Sequence, residues 1–149
     1  MHKMVISNTS PLYYLHNIGK LDILHDLYGK IYIPDAVLIE LSEGLRVGVN
    51  VPLIEDISWI EIKQVKVPRY INLIPDLGKG EAEAIALSCE DDNSLLIVDD
   101  MLGRKIAKLQ DIRITGTAGI LLKAKKEKLI KELVIGEHGC YCFYPIGIS

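Results

Sequence analysis

Leu95-Leu96-Ile97-Val98-Asp99-Asp100 is the stretch on which the fold of this chain turns. Four apolar residues in a row fit a strand buried on both faces, as in a parallel sheet covered by helices. The run stops at two adjacent acids, and ligands of open α/β sheets bind just beyond the carboxyl ends of such strands. A carboxylate pair at that point is where chemistry is expected, provided that other acids converge on it.

Outward from this strand, short apolar runs alternate with helical spacings. Met4-Val5-Ile6-Ser7 predicts a first strand, and Ser10-Pro11 a helix start, with Ser10 as cap and Pro11 at the first helical position. Leu21, Leu24 and Leu27/Tyr28 predict a second helix ending at Gly29, and Ile31-Tyr32-Ile33 a strand closed by Pro34. From Asp35, the stripe Val37, Leu38, Leu41, Leu45 predicts an amphipathic helix. Trp59 to Ile62 reads as a third strand, and Pro68 to Gly80 as a loop. Ala82, Ile85, Ala86 and Cys89 place a helix over 80–90. After Leu95–Val98 come a helix over 104–109, a strand over 112–115 and a long helix from Gly116 to about Leu133. Cys140 to Tyr144 suits an edge strand. This alternation predicts a three-layer α/β/α architecture with a mostly parallel central sheet. No repeat or linker divides the chain, so one domain over 1–149 is expected.

The bulk properties narrow the class. At 149 residues, with 49% apolar and 25% charged residues, the composition is that of a globular protein with a real core. Seventeen basic against twenty acidic residues give a net charge of −3, which argues against non-specific wrapping of nucleic acid. An enzyme that meets nucleic acid through bound metal ions is compatible with it. No apolar stretch approaches the ~20 residues of a membrane helix, and the N-terminus runs straight into a strand without a signal-peptide pattern. A cytoplasmic location is expected. Three cysteines without paired spacing suit a reducing compartment.

Several oxygen-bearing side chains point to the opening motif. The first strand ends at Asn8, so Asn8 and Asp99 would face each other if their strands flank the switch point. Glu81 lies in the first turn of its helix beside the Ile85 face, and Glu40 borders the apolar stripe one residue from Leu41. Clustered carboxylates repel one another and raise each other's pKa values. A hard divalent ion, Mg²⁺ or Mn²⁺, resolves that conflict, because such ions take a few carboxylates and keep several waters. Singly, each acid has an ordinary reading too. Asp99 or Asp100 could cap the next helix, Glu81 and Glu83 could be charges at a helix N-terminus, and Glu40 and Glu43 could be solvated.

Taken together, Ser7-Asn8-Thr9-Ser10-Pro11-Leu12, Ile33-Pro34-Asp35-Ala36-Val37 with Glu40-Leu41, Gly78-Lys79-Gly80-Glu81-Ala82-Glu83-Ala84-Ile85, Ile97-Val98-Asp99-Asp100 with Gly103-Arg104, and Gly116-Thr117-Ala118-Gly119 resemble the PIN domain. More narrowly they resemble the bacterial and archaeal branch close to VapC-type toxins. The resemblance implies an α/β/α fold and Mg²⁺- or Mn²⁺-dependent cleavage of RNA by four acids. It also implies a small cognate antitoxin and a homodimer as partners. Carried over, the acidic positions fall on Asn8, Glu40, Glu81, and Asp99 or Asp100. Thr9 and Ser10 follow the first position and could orient it, and Arg104 could contact RNA or brace the acids.

Asn8 departs from the pattern, which has aspartate there. An amide oxygen can ligate Mg²⁺ but brings no charge and cannot act as a base. A catalytically inactive PIN-fold module that binds protein or RNA is therefore the rival reading. A phosphatase or phosphoacceptor domain would want an aspartate nucleophile at the same strand end, where this chain again has Asn8. Other signals have ordinary readings. His138-Gly139-Cys140-Tyr141-Cys142 lacks a fourth zinc ligand, and Gly78-Lys79-Gly80 reads as a turn. Lys123, Lys125, Lys126, Lys128 and Lys131 form a solvated helix face or a phosphate track, and Lys63, Lys66 and Arg69 with Tyr70 offer a second such track. His16 and His25 read as structural or exposed.

Overall fold

A computed structural model describes residue 2, residues 4–135 and residues 141–145. The elements run β1 (Met4–Ser7), α1 (Thr9–Asn17), α2 (Asp22–Tyr28), β2 (Ile31–Pro34), α3 (Asp35–Arg46), β3 (Ile60–Lys63), α4 (Arg69–Asn72), α5 (Lys79–Ser88), β4 (Ser94–Ile97), α6 (Met101–Leu109), β5 (Arg113–Thr115), α7 (Thr117–Lys126), β6 (Ile130–Ile135) and β7 (Tyr141–Pro145). Five strands form one parallel sheet in the order β3-β2-β1-β4-β5. The strand order reverses between β1 and β4, where Ser7 lies opposite Ile97. That pair of strand ends is the switch point of the sheet.

The period-2 alternation of strand side chains sorts the core into two layers. Val5, Leu95 and Ile97 pack with Leu12 and Leu15 of α1, Leu24 of α2, Val37 and Leu41 of α3, and Ile120 and Leu121 of α7. Ile6, Leu96 and Val98 pack on the opposite face with Ile71 of α4, Ile85 and Leu87 of α5, and Ala107 of α6. The opening apolar run is fully buried, as a strand covered on both faces must be.

The sequence-based helices change in four places, and β3 runs over Ile60–Lys63 rather than from Trp59 to Ile62. Helix α1 starts at Thr9 with Asn8 as its N-cap residue, so Ser10 and Pro11 lie inside its first turn. The segment read as loop over 68–80 contains the one-turn helix α4. Helix α6 begins at Met101 rather than Arg104, because Asp100 caps it. Helix α7 stops at Lys126, and residues read as its continuation form β6. There the chain reverses through Lys128, which takes φ +63°. The Lys128 N–H donates to Lys125 O at 3.0 Å and the Leu129 N–H to Ala124 O at 2.8 Å. This is the paired bonding of a Schellman stop, with lysine in the place glycine usually takes.

Strand β7 is no edge of the main sheet: it pairs antiparallel with β6 in a separate two-stranded sheet. Of the His138–Cys142 stretch, weighed against a zinc site above, residues 138–140 lie outside the described residues. His16 bonds Asn50, and His25 stacks on Trp59 at 5.4 Å while bonding Gly29 O, so both serve structure. Lys123 lies over the Tyr28 ring at 4.9 Å. No helix among the described residues is long and apolar enough to cross a membrane.

Candidate functional site

The strand alternation that orders the core also decides where the acids go. Continuing β1 and β4 past their ends carries Ser7 and Asp99 to the α7 side of the sheet, and Asn8 and Asp100 to the α5 and α6 side. The hydrogen bonds agree. Asp99 Oδ1 accepts the Thr117 N–H at 2.7 Å and Asp99 Oδ2 the Thr117 hydroxyl at 2.6 Å, at the start of α7. Asp100 Oδ2 instead accepts the Gly103 N–H at 2.8 Å, capping α6. Asp99, expected to face Asn8, thus spends both oxygens on Thr117, and strand alternation sets Asn8 on the side of Asp100.

Glu40 and Glu81 arrive from two helices that hold each other. Glu40 Oε1 accepts the Gly80 N–H at 3.1 Å, near the start of α5, and Glu40 Oε2 accepts the Thr9 hydroxyl. In return Glu83 Oε1 accepts the Ala36 N–H at 3.0 Å, near the start of α3. Thr9 thus bonds Glu40 rather than orienting Asn8, and Ser10 follows it in the first turn of α1. From the sequence, Glu83 is simply a charge near its own helix N-terminus. Its bond to a different helix is a tertiary fact with no local signal in the sequence.

Glu81 carries a perturbed carboxyl group. Burial raises its pKa above the ordinary 4.5, its own backbone N–H counteracts, and the Glu40 and Asp100 carboxylates raise it further. Glycines make room for these groups. A Cβ at Gly80 would lie 2.6 to 2.9 Å from the Glu40 carboxylate, and one at Gly78 would collide with that of Glu81. A Cβ at Gly116 would lie 2.7 Å from Asp99 Oδ1 and 2.8 Å from Arg104 Nη1. Arg104 Nη1 donates to Val98 O at 3.0 Å, so this side chain braces the end of β4.

Asn8 is 2% exposed, yet its Oδ1 has no hydrogen-bond partner and does not cap α1. Buried polar atoms are nearly always satisfied, so an orphan acceptor invites a donor or a cation. Among the described residues, no three His, Cys, Asp or Glu side chains stand ready to enclose a metal ion. The donor set, all oxygen, fits a hard divalent cation.

A parallel α/β/α sheet with acids gathered beyond its switch point is the architecture of a PIN-type domain. The chain belongs to the PIN domain family: the family model described as "DUF3368: PIN domain" matches residues 4–135. Members of this family are generally nucleases that use divalent metal ions. A PilT N-terminus domain protein, SSO1118, from the hyperthermophilic archaeon Sulfolobus solfataricus P2 has a similar structure, with TM-score 0.60 and 19% identity. The match covers 81% of this chain and 92% of that one, and at this identity it bears on the fold alone. No curated protein matches the sequence.

Proposed function

We propose that this chain is a Mg²⁺- or Mn²⁺-dependent endoribonuclease of the VapC toxin type. The observation that carries the nuclease reading is Glu81, a half-buried carboxylate raised by burial and by its neighbours Glu40 and Asp100. Such a group is destabilised without a cation and relieved by one. On this reading Glu81 and Asp100 hold the metal, Glu40 completes the acidic set, and the Asn8 amide oxygen fills the remaining position. When bound, the ion supplies a water of lowered pKa and neutralises charge on the phosphodiester.

The chain's own residues do the rest. Gly80 N–H and the Thr9 hydroxyl fix Glu40 from two helices, and Gly103 N–H fixes Asp100. Each leaves lone pairs on its carboxylate for a further contact. Arg104 braces the strand end on which Asp100 is carried. RNA is the substrate, a small antitoxin the controlling partner and a second copy the mate in a homodimer, all in the cytoplasm. The exposed apolar side chains Ile39, Leu45, Val47 and Leu53 offer surface for such protein contacts.

A catalytically inactive PIN-fold module is the second reading, favoured by Asn8. A charged ligand is missing there, and Glu40, Asp99 and Asp100 each already accept a backbone N–H. Mn²⁺ titration with an unstructured RNA separates the two. Metal-dependent cleavage by the native chain, abolished in Glu81→Gln, supports the nuclease. If the native chain neither binds Mn²⁺ nor cleaves, while Asn8→Asp does both, the inactive module stands.

A further inference from the structure

The geometry points to Asp99 as a positioning residue that acts through Asp100: together with Thr117 it latches the end of β4 to the start of α7. The inference rests on the metal-site reading of Asp100 but draws on contacts that the reading does not use. Both Asp99 oxygens are taken by one residue, the Thr117 N–H at 2.7 Å and its hydroxyl at 2.6 Å. Thr117 is fully buried and Asp99 partly so, which limits competition from water for these bonds. An anion also sits favourably at the first turn of α7, against its unpaired amides.

The consequence for Asp100 follows from the backbone. Asp100 is joined to the latch through one peptide plane, which is rigid. Upstream, Val98 N–H donates to Thr115 O at 2.8 Å and Val98 O accepts Arg104 Nη1 at 3.0 Å. Downstream, Asp100 is held by Gly103 N–H. Asp99 is the joint between these two anchors, and its side chain ties it to α7. If Thr117 lets go, the peptide between Asp99 and Asp100 is free to rotate, and Asp100 leaves the direction of Glu81. Gly116 fits the same account, because a side chain there would push directly on Asp99 and Arg104.

The test uses Thr117→Val, which removes the hydroxyl at nearly constant volume, Thr117→Ser, which keeps it, and Asp99→Asn. A metal-free readout comes first: amide hydrogen exchange at Gly103, which reports the Asp100 cap. The latch requires Gly103 to lose protection by about tenfold or more in Thr117→Val and Asp99→Asn, and to regain it in Thr117→Ser. Unchanged exchange at Gly103 in a folded Thr117→Val overturns the proposal, whatever the metal does. Mn²⁺ affinity and RNA cleavage form the second arm. Thr117→Val should lower kcat by about tenfold with KM for RNA nearly unchanged, since a misplaced group costs turnover. The double variant Asp99→Asn/Thr117→Val should be no worse than either single change. If Asp99→Asn abolishes Mn²⁺ binding while Thr117→Val leaves it intact, Asp99 is a ligand and the proposal is wrong. If the native chain binds no Mn²⁺ at all, the metal reading fails, and the Gly103 exchange alone decides the latch.

Discussion

Glu40 on α3 accepts the backbone N–H of Gly80 on α5 at 3.1 Å, so one acid of the site holds the helix that carries another. The contact spans forty residues of sequence and needs the missing side chain of Gly80.

Gly80→Ala therefore sets two effects against each other. In an ordinary helix the change gains about 0.5–1 kcal/mol, because alanine loses less backbone entropy. Here the new Cβ would meet three carboxylate atoms of Glu40 within 2.9 Å, and the Gly80 N–H would lose its acceptor. The Glu40 tip is flexible and can move aside, so the main cost is its lost charge-assisted bond, about 1.5–3 kcal/mol, and the net expectation is destabilisation by about 1–2 kcal/mol. In a Glu40→Ala background the clash is absent and the same change should turn neutral or stabilising. Urea unfolding of the four proteins measures this cycle; a Gly80→Ala that stabilises the native background would mean the contact is not formed.

Lysine in a left-handed conformation offers a second, simpler case. Lys128 holds φ +63° at the end of α7, a region that disfavours residues with a Cβ by about 1–2 kcal/mol. Lys128→Gly removes that strain at an entropic cost of roughly half as much. A gain of about 0.5–1 kcal/mol is expected, or about 1–4 °C in Tm for a chain of this size. Thermal unfolding checks it, and a lower Tm would show that Lys128 makes compensating contacts.

The same residue shows where the sequence stops being readable. Helix ends are inferred from glycine, and Lys123 to Leu133 contains none, so a helix over the whole stretch was the natural expectation. The stop is made by backbone bonds that depend on Leu129 packing into the core. By contrast β4 was legible, because four apolar residues before two acids leave few alternatives. Glu40 and Glu81 were legible as acids bordering buried faces. The division of labour between Asp99 and Asp100 was not, although it follows from strand alternation once the registers are known: adjacent residues must serve opposite faces. Nor could Gly78, Gly80 and Gly116 be read as cradles for carboxylates, since a lone glycine in sequence signals a turn.

The raised pKa of Glu81 fixes the sign of a pH effect. Its folded-state pKa lies above 4.5, so the folded protein binds the extra proton more readily than the unfolded chain. Stability contributed by this group falls as pH rises from about 4.5 through the folded-state pKa, and stays low above it. Glu81→Gln has no such titration. The metal-free variant should therefore have the higher Tm at pH 7, and its advantage should fade as pH falls toward 4. Mn²⁺ reverses the sign at neutral pH by favouring the ionised carboxylate of the native chain. Melting curves of both proteins from pH 4 to 8, with EDTA or Mn²⁺, test this. A difference in Tm that does not change with pH would contradict the assignment.

Asn8 gives the sharpest comparison, because a single atom changes its charge. As the N-cap residue of α1 it is 2% exposed, and its Oδ1 has no partner. Asparagine and aspartate are nearly equal as N-caps, and the helix dipole favours aspartate by about 0.3–1 kcal/mol. Burying an unpaired carboxylate costs more than that, and Asp100 lies on the same side of the sheet. Metal-free Asn8→Asp should therefore melt several degrees below the native chain. With Mn²⁺ the order should invert, since ligand binding stabilises by RT ln(1 + [L]/Kd). A tenfold gain in affinity then returns about 1.4 kcal/mol at saturating metal. Differential scanning fluorimetry across a Mn²⁺ series would show the two curves crossing. Parallel curves would mean that Asn8 does not face the cation, and the orphan oxygen would need another partner.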